Sequence, residues 1–114
     1  MRSHGIWMID LEGQTVYVNT RLADALGVEP TEMIDRPYLD WVFPEDAPKA
    51  KSIFESKKAG NGETFRFRLR HKDGSVVYVR IQATAMHSAT SNMLIGLVGA
   101  VSFEAPGTGT KPGA

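Results

Sequence analysis

The run Phe65-Arg66-Phe67-Arg68-Leu69-Arg70, followed after a polar break by Val76-Val77-Tyr78-Val79-Arg80-Ile81-Gln82-Ala83, limits what this chain can fold into more than any other stretch. Phe65, Phe67 and Leu69 alternate with three arginines, and a period of two marks a strand with one buried and one wet face. The second run repeats the pattern, with Val77, Val79, Ile81 and Ala83 on one side and Tyr78, Arg80, Gln82 and Thr84 on the other. Between them stands Lys72-Asp73-Gly74-Ser75, whose Asp-Gly pair supplies the positive φ angles that a tight hairpin turn demands. The pattern fixes a register and an inside.

The rest of the chain arranges itself around that hairpin. Gly5 to Asp10 is a short apolar run, and Thr15-Val16-Tyr17-Val18 resumes strand character after Leu11-Glu12-Gly13, so a second hairpin is expected at the N-terminus. Asn19 suits a helix N-cap, Leu22, Ala25 and Leu26 follow at helical spacing, and Gly27 stops the helix. Pro30 fits the first position of a short second helix, with Glu32 near its positive end and Met33 and Ile34 facing inward. Tyr38 to Val42 reads as one more helical turn. Pro44-Glu45-Asp46 opens a longer helix with Ala47, Ala50, Ile53 and Phe54 as its apolar stripe, closed by Lys57, Lys58 and Gly60. Ser88 to Asn92 is a polar loop before a last strand from Met93 to Phe103.

Strands at both ends of a helical middle indicate an α+β domain, with a five-stranded antiparallel sheet and short helices packed on one face. Residues 1–104 are read as that domain. Residues 105–114 hold three glycines, two prolines and nothing aliphatic larger than alanine, the composition of a disordered Gly/Pro-rich tail or linker.

A length of 114 residues suits one core. Thirteen basic and thirteen acidic residues cancel, which argues against a general surface for nucleic acid or anionic membrane. The absence of cysteine excludes disulfides, thiolate metal sites, cysteine nucleophiles and cysteinyl chromophore adducts. No apolar run approaches a membrane span and the N-terminus does not read as a signal peptide, so a cytoplasmic location is expected.

Several pieces, in order, carry a family resemblance: Gly5-Ile6-Trp7-Met8-Ile9-Asp10 with Glu12-Gly13, Val18-Asn19, Leu26-Gly27, Glu32-Met33-Ile34, Pro44-Glu45-Asp46, and Arg68-Leu69-Arg70-His71-Lys72-Asp73-Gly74-Ser75 running into Val79. From about Gly5 to Ser102 the chain resembles a PAS domain, the sensory and interaction module of many bacterial histidine kinases, cyclic-di-nucleotide enzymes and transcription regulators. It departs from the family pattern at Asp35, where a glycine is usual, and at Phe43, where a histidine is usual. At Phe103-Glu104-Ala105 it lacks the usual Asp-Ile-Thr that links the sheet to an outgoing helix.

The resemblance implies a sensory or regulatory module, as in a two-component system, that binds a small ligand in its core, relays a signal by dimerisation, or does both. Family members that hold haem ligate iron from the long central helix, and Asp46 to Gly60 contains no histidine, which argues against haem. A cysteinyl flavin adduct is excluded. A non-covalent flavin stacked on Trp41 and a small apolar metabolite both stay open, beside Trp41 as simple core filling. His4, His71 and His87 show no metal-like spacing. No Ser-His-Asp set, carboxylate pair or phosphate loop can be assembled, and the chain is read as non-enzymatic.

Ligand-pocket candidates are Met8, Leu22, Leu26, Ile34, Trp41, Ile53, Phe54, Phe65, Phe67, Val79, Ile81, Ile95 and Leu97, with Ile6 beside them. Trp7, Ile9, Tyr78, Leu94 and Val98 are assigned to the outer sheet face, as contacts for a second copy or a flanking effector domain. A ligand-free interaction domain is the competing reading. A third is nucleic-acid binding through Arg66, Arg68, Arg70 and Arg80 with Tyr78 as a stacking platform; a solvated strand face explains those charges equally well.

Overall fold

The computed structural model of the protein describes residues 4–62 and 64–104; the tail expected from residue 105 onward lies outside them. The strands are β1 (Gly5–Asp10), β2 (Thr15–Val18), β3 (Phe65–Arg70), β4 (Val76–His87) and β5 (Leu94–Phe103). Between β2 and β3 come α1 (Thr20–Leu26), α2 (Pro30–Met33), 3-10 turns at Tyr38–Trp41 and Pro44–Asp46, and α3 (Ala47–Lys58). The sheet runs β2-β1-β5-β4-β3, with every neighbouring pair antiparallel.

In the β3–β4 hairpin, Phe67 opposes Val79 and Leu69 opposes Val77, so both apolar rows turn to one face as their alternation requires. The turn is wider than the Asp-Gly pair suggests. Of the turn residues Gly74 alone has positive φ, at 93°. Gly74 N–H donates to the His71 carbonyl at 2.8 Å and His71 N–H to the Ser75 carbonyl at 2.9 Å, the three-residue loop that ends in a left-handed glycine. Asp73 keeps its side chain inside the loop, where its Oδ1 accepts from the Ser75 amide at 2.9 Å and the Ser75 hydroxyl at 2.7 Å.

Local chemistry sets the helix boundaries. Asn19 Oδ1 accepts from the Leu22 amide at 3.1 Å, capping α1, and from the Ile6 amide at 3.0 Å, tying the helix start to β1. Gly27 ends α1 with φ 78°. Asp35, where the resemblance leads one to expect glycine, takes the left-handed conformation (φ 68°), and its amide donates to the Thr15 carbonyl at 2.8 Å.

Leu22, Leu26, Met33, Leu69, Val79 and Val101 are fully buried between helices and sheet. Each contributes on the order of 1.5–3 kcal/mol through burial. Two assignments from the alternation are reversed. In β1 it is Gly5 and Trp7 that are buried, with Ile9 packed against the core, while Ile6 and Met8 lie on the other face. All four of Ile6 to Ile9 are apolar, so the sequence offers no polar row to orient the strand. In β5, Met86 opposes Gly96 and His87 opposes Leu94, a bulge that leaves Ile95 without a cross-strand partner and 50% exposed. Among the described residues no helix is long and apolar enough to cross a membrane.

Candidate functional site

On the inner face, Ala83 of β4 stands directly opposite Gly99 of β5. Two small residues side by side leave room that larger ones would fill, and α3 spans it. The result is a cavity of about 90 Å³. Its sheet wall is Trp7 and Ile9 from β1, Phe65, Phe67 and Leu69 from β3, Ile81 and Ala83 from β4, and Leu97, Gly99 and Val101 from β5. Its helical wall is Tyr38, Val42, Ala50, Ile53, Phe54 and Lys57.

Of the residues expected at a pocket, Ile53, Phe54, Phe65, Phe67, Ile81 and Leu97 are brought together in these walls. Leu22, Leu26 and Val79 are fully buried elsewhere in the core. Ile34 and Trp41 are half-buried and outside the walls; the Trp41 indole N–H is buried with no hydrogen-bond partner among the described residues. Met8 and Ile95 are not in the walls either. Conversely Trp7 and Ile9, assigned to the outer face, line the cavity because β1 is turned over. Tyr78, Leu94 and Val98 are half-buried, and Met8 lies opposite Val98 across the β1–β5 pair.

Tyr38, Val42, Ala50, Lys57, Leu69, Ala83, Gly99 and Val101 also line the walls though none of them is a pocket candidate by sequence, and two of them, Tyr38 and Lys57, bring polar groups. Tyr38 packs its ring 5.3 Å from that of Phe54 and turns its hydroxyl toward the Ala50 carbonyl at 3.5 Å. Burial, and then the charge of Glu55, raise the pKa of that phenol. Lys57 has the sequence position of an ordinary cation at a helix end, yet it is 4% exposed, with Nζ 5.3 Å from the centroid of the Phe65 ring. The available signal is its spacing: Lys57 lies three and four residues beyond Phe54 and Ile53, on the apolar stripe of α3.

The arginine row is engaged within the chain. Arg68 Nε donates to Asp46 Oδ2 at 2.6 Å and its Nη2 to Glu45 at 3.1 Å, with the guanidinium 4.8 Å from the centroid of the Phe43 ring. Phe43, where the resemblance leads one to expect histidine, thus serves as a platform for Arg68. The bond to Asp46 raises the Arg68 pKa further. Arg66 and Arg80 both meet Glu104 at 3.6 Å, and Arg70 donates to the Asp40 carbonyl. These pairs frame a depression of about 240 Å³ lined by Asp46, Lys49, Arg66, Phe67, Arg68, Tyr78 and Glu104. Larger than the cavity beneath α3 but charged, it is accounted for by the ion pairs that border it.

Known proteins share this fold. The PAS fold family matches residues 15–101. The chain is 31% identical over 77 residues to the aryl hydrocarbon receptor nuclear translocator homolog of Drosophila melanogaster, which is 66% of this chain and 12% of that protein. It superposes on the PAS domain of a Colwellia psychrerythraea protein with a TM-score of 0.80 at 20% identity, covering 89% of this chain and 86% of the other. A light-oxygen-voltage domain studied with a flavin analogue gives a TM-score of 0.75 at 16% identity, covering 90% and 78%. The structural likeness establishes the fold and the family match spans most of the sequence: the chain belongs to the PAS fold family of sensory and signalling domains.

Proposed function

We propose that this domain is a ligand-sensing module, in which a small, largely apolar molecule occupies the cavity beneath α3. Binding there alters how the sheet pairs with a second copy or a flanking effector domain. The observation that carries this reading is the cavity itself, formed where Ala83 and Gly99 face each other beneath α3. About 90 Å³ is room for roughly six waters at ~15 Å³ each. That suits a ligand of about six to nine non-hydrogen atoms and is too small for the fused ring system of a flavin or for haem. Trp41, which could have served as a flavin platform or as simple core filling, stands outside the walls, so neither cofactor enters the mechanism.

The chain's part in signalling is mechanical and non-catalytic. Ligand fills space between α3 and the sheet, and the response is a shift of α3 or of the β4–β5 pair, the elements that form the cavity. The chain covers 12% of the Drosophila relative's length, and the effector is part of the proposal. On the outer face, Met8 and Val98 form the cross-strand pair offered to a second copy.

Titration with 1-hexanol followed by amide NMR tests the reading. Shifts should cluster at Trp7, Ile53, Phe65 and Gly99. If 1-hexanol, benzamide and xenon all leave these amides unmoved, the sensing role falls and a ligand-free interaction domain takes its place. In parallel, sedimentation of the chain should show a dimer that Met8→Glu disperses; a monomer at every concentration would remove the pairing.

A further inference from the structure

Three side chains in the walls of the cavity carry a polar atom: Trp7, Tyr38 and Lys57. The Trp7 indole N–H donates to the Thr15 hydroxyl at 3.0 Å. Lys57 is engaged within the chain, its ammonium 5.3 Å from the centroid of the Phe65 ring. Tyr38 differs from both. Its hydroxyl turns its one hydrogen toward the Ala50 carbonyl, 3.5 Å away on the helical wall, and a hydroxyl oxygen has two lone pairs besides. Among the described residues no group donates to them. The ring that carries this oxygen is held in place: it packs 5.3 Å from the Phe54 ring, its backbone N–H donates to the Gly13 carbonyl at 2.9 Å, and its edge lies 3.0 Å from where a Cβ on Gly13 would stand.

We propose that the cavity takes a small neutral alcohol or phenol, whose hydroxyl donates to the Tyr38 oxygen and whose single ring or short chain fills the apolar remainder. This rests on the ligand-sensing reading above and names the ligand class for it. Size, wall and hydrogen bonding each narrow the choice. The volume admits a body of about six carbons. The walls from Ile53, Phe54, Phe65 and Ile81 give that body apolar contacts. Burial, and then the charge of Glu55, raise the pKa of Tyr38, so at neutral pH it stays an uncharged hydroxyl. An ether or a ketone, which only accepts, would compete with the Ala50 carbonyl for the one hydrogen that Tyr38 has. A donor instead uses a lone pair otherwise without a partner. A carboxylate or an alkylammonium would bring charge into a space of aliphatic and aromatic groups in which Lys57 is already engaged.

The test varies the head group on a constant ring. Phenol, anisole and toluene are titrated into the 114-residue chain and into its Tyr38→Phe variant at neutral pH, by calorimetry and amide NMR. The variant keeps the ring against Phe54 and removes only the oxygen. It should weaken phenol about fivefold or more, as the loss of one buried hydrogen bond predicts, and leave anisole and toluene within about twofold. The wild-type order is a second readout. Transfer into apolar surroundings alone places anisole ahead of phenol, whose hydroxyl is costly to bury unpaired; an acceptor at Tyr38 should reverse that order. Should the variant fail to fold, the wild-type order decides the question alone. Anisole ahead of phenol in the wild type, or a loss on Tyr38→Phe that is equal for phenol and either of the other two, would overturn the hydroxyl assignment while leaving the cavity as a sensing site. Binding of none of the three would overturn the sensing reading with it.

Discussion

The indole N–H of Trp7 donates to the Thr15 hydroxyl at 3.0 Å, across the β1–β2 pair and inside the core, where Trp7 is 8% and Thr15 0% exposed. An indole nitrogen buried here needs an acceptor, and Thr15 provides it. Thr15→Val keeps the shape and orphans the donor, which should destabilise the domain by about 1–3 kcal/mol. Thr15→Ser should cost less. In the double variant Trp7→Phe/Thr15→Val the polar penalty disappears, so its loss should fall short of the sum of the two single losses. Urea unfolding of these variants and of Trp7→Phe alone checks the set. Strict additivity would mean that the bond contributes nothing.

That bond also explains what is and is not legible in the sequence. Alternation orients β3 and β4 because polar residues, arginines foremost, occupy one parity, and the caps at Asn19 and Gly27 and the first helical position at Pro30 are legible because each is decided within one turn. In β1 both parities are apolar, so the decision passes to groups far away in sequence, namely the Thr15 hydroxyl and the α1 side chain of Leu22, whose Cβ lies 3.0 Å from where a Cβ on Gly5 would stand. Ile95 falls outside the pattern because a bulge breaks the period of two. The cavity is hidden for a related reason. It depends on Ala83 meeting Gly99, a register between strands that local patterns do not contain. Lys57 escapes notice because charge at a helix end is ordinarily solvent-facing.

The β3–β4 turn docks on the end of α1. Lys72 N–H donates to the Leu26 carbonyl at 2.9 Å, and a Cβ on Gly27 would collide with His71 Cε1. Gly27 is therefore held twice, by its φ of 78° and by the imidazole. Gly27→Ala should cost about 1–2 kcal/mol for the left-handed backbone alone, plus whatever displacing the ring adds. His71→Ala in the same chain should recover the second part and leave the first. Thermal unfolding of the single and double variants separates the two; no recovery would show that the ring moves aside freely.

Glu32 links α2 to the same turn. Its carboxylate accepts the Glu29 amide at 2.9 Å and meets Lys72 Nζ at 3.3 Å. The backbone bond first, and then the lysine, hold its pKa below the ordinary 4.5. The folded chain thus binds this proton less readily than the unfolded chain. The resulting stability is present above about pH 4.5 and is lost as pH falls through the lowered folded value. In Glu32→Gln the contribution is absent throughout. The gap in melting temperature between wild type and variant should be widest near neutral pH and close in acid. A gap that stayed constant to about pH 3 would contradict the assignment.

Gly99 allows the cavity to be narrowed with one methyl group. Its φ is not positive, and an added Cβ would stand 3.4 Å from Ile81 Cγ2, an ordinary contact. Alanine there removes the backbone-entropy cost of a strand glycine, roughly 0.5–1 kcal/mol, and buries a methyl in unfilled apolar space, up to ~0.8 kcal/mol. Gly99→Ala should therefore stabilise the ligand-free domain by about 1 kcal/mol, read from the urea midpoint. The same methyl occupies volume that a ligand needs, so 1-hexanol affinity should drop by about tenfold, since packing against a methyl already in place costs more than filling a void. Opposite signs for stability and binding would mark a void kept for occupancy. A variant that gained stability and still bound 1-hexanol as the wild type does would place the binding site elsewhere.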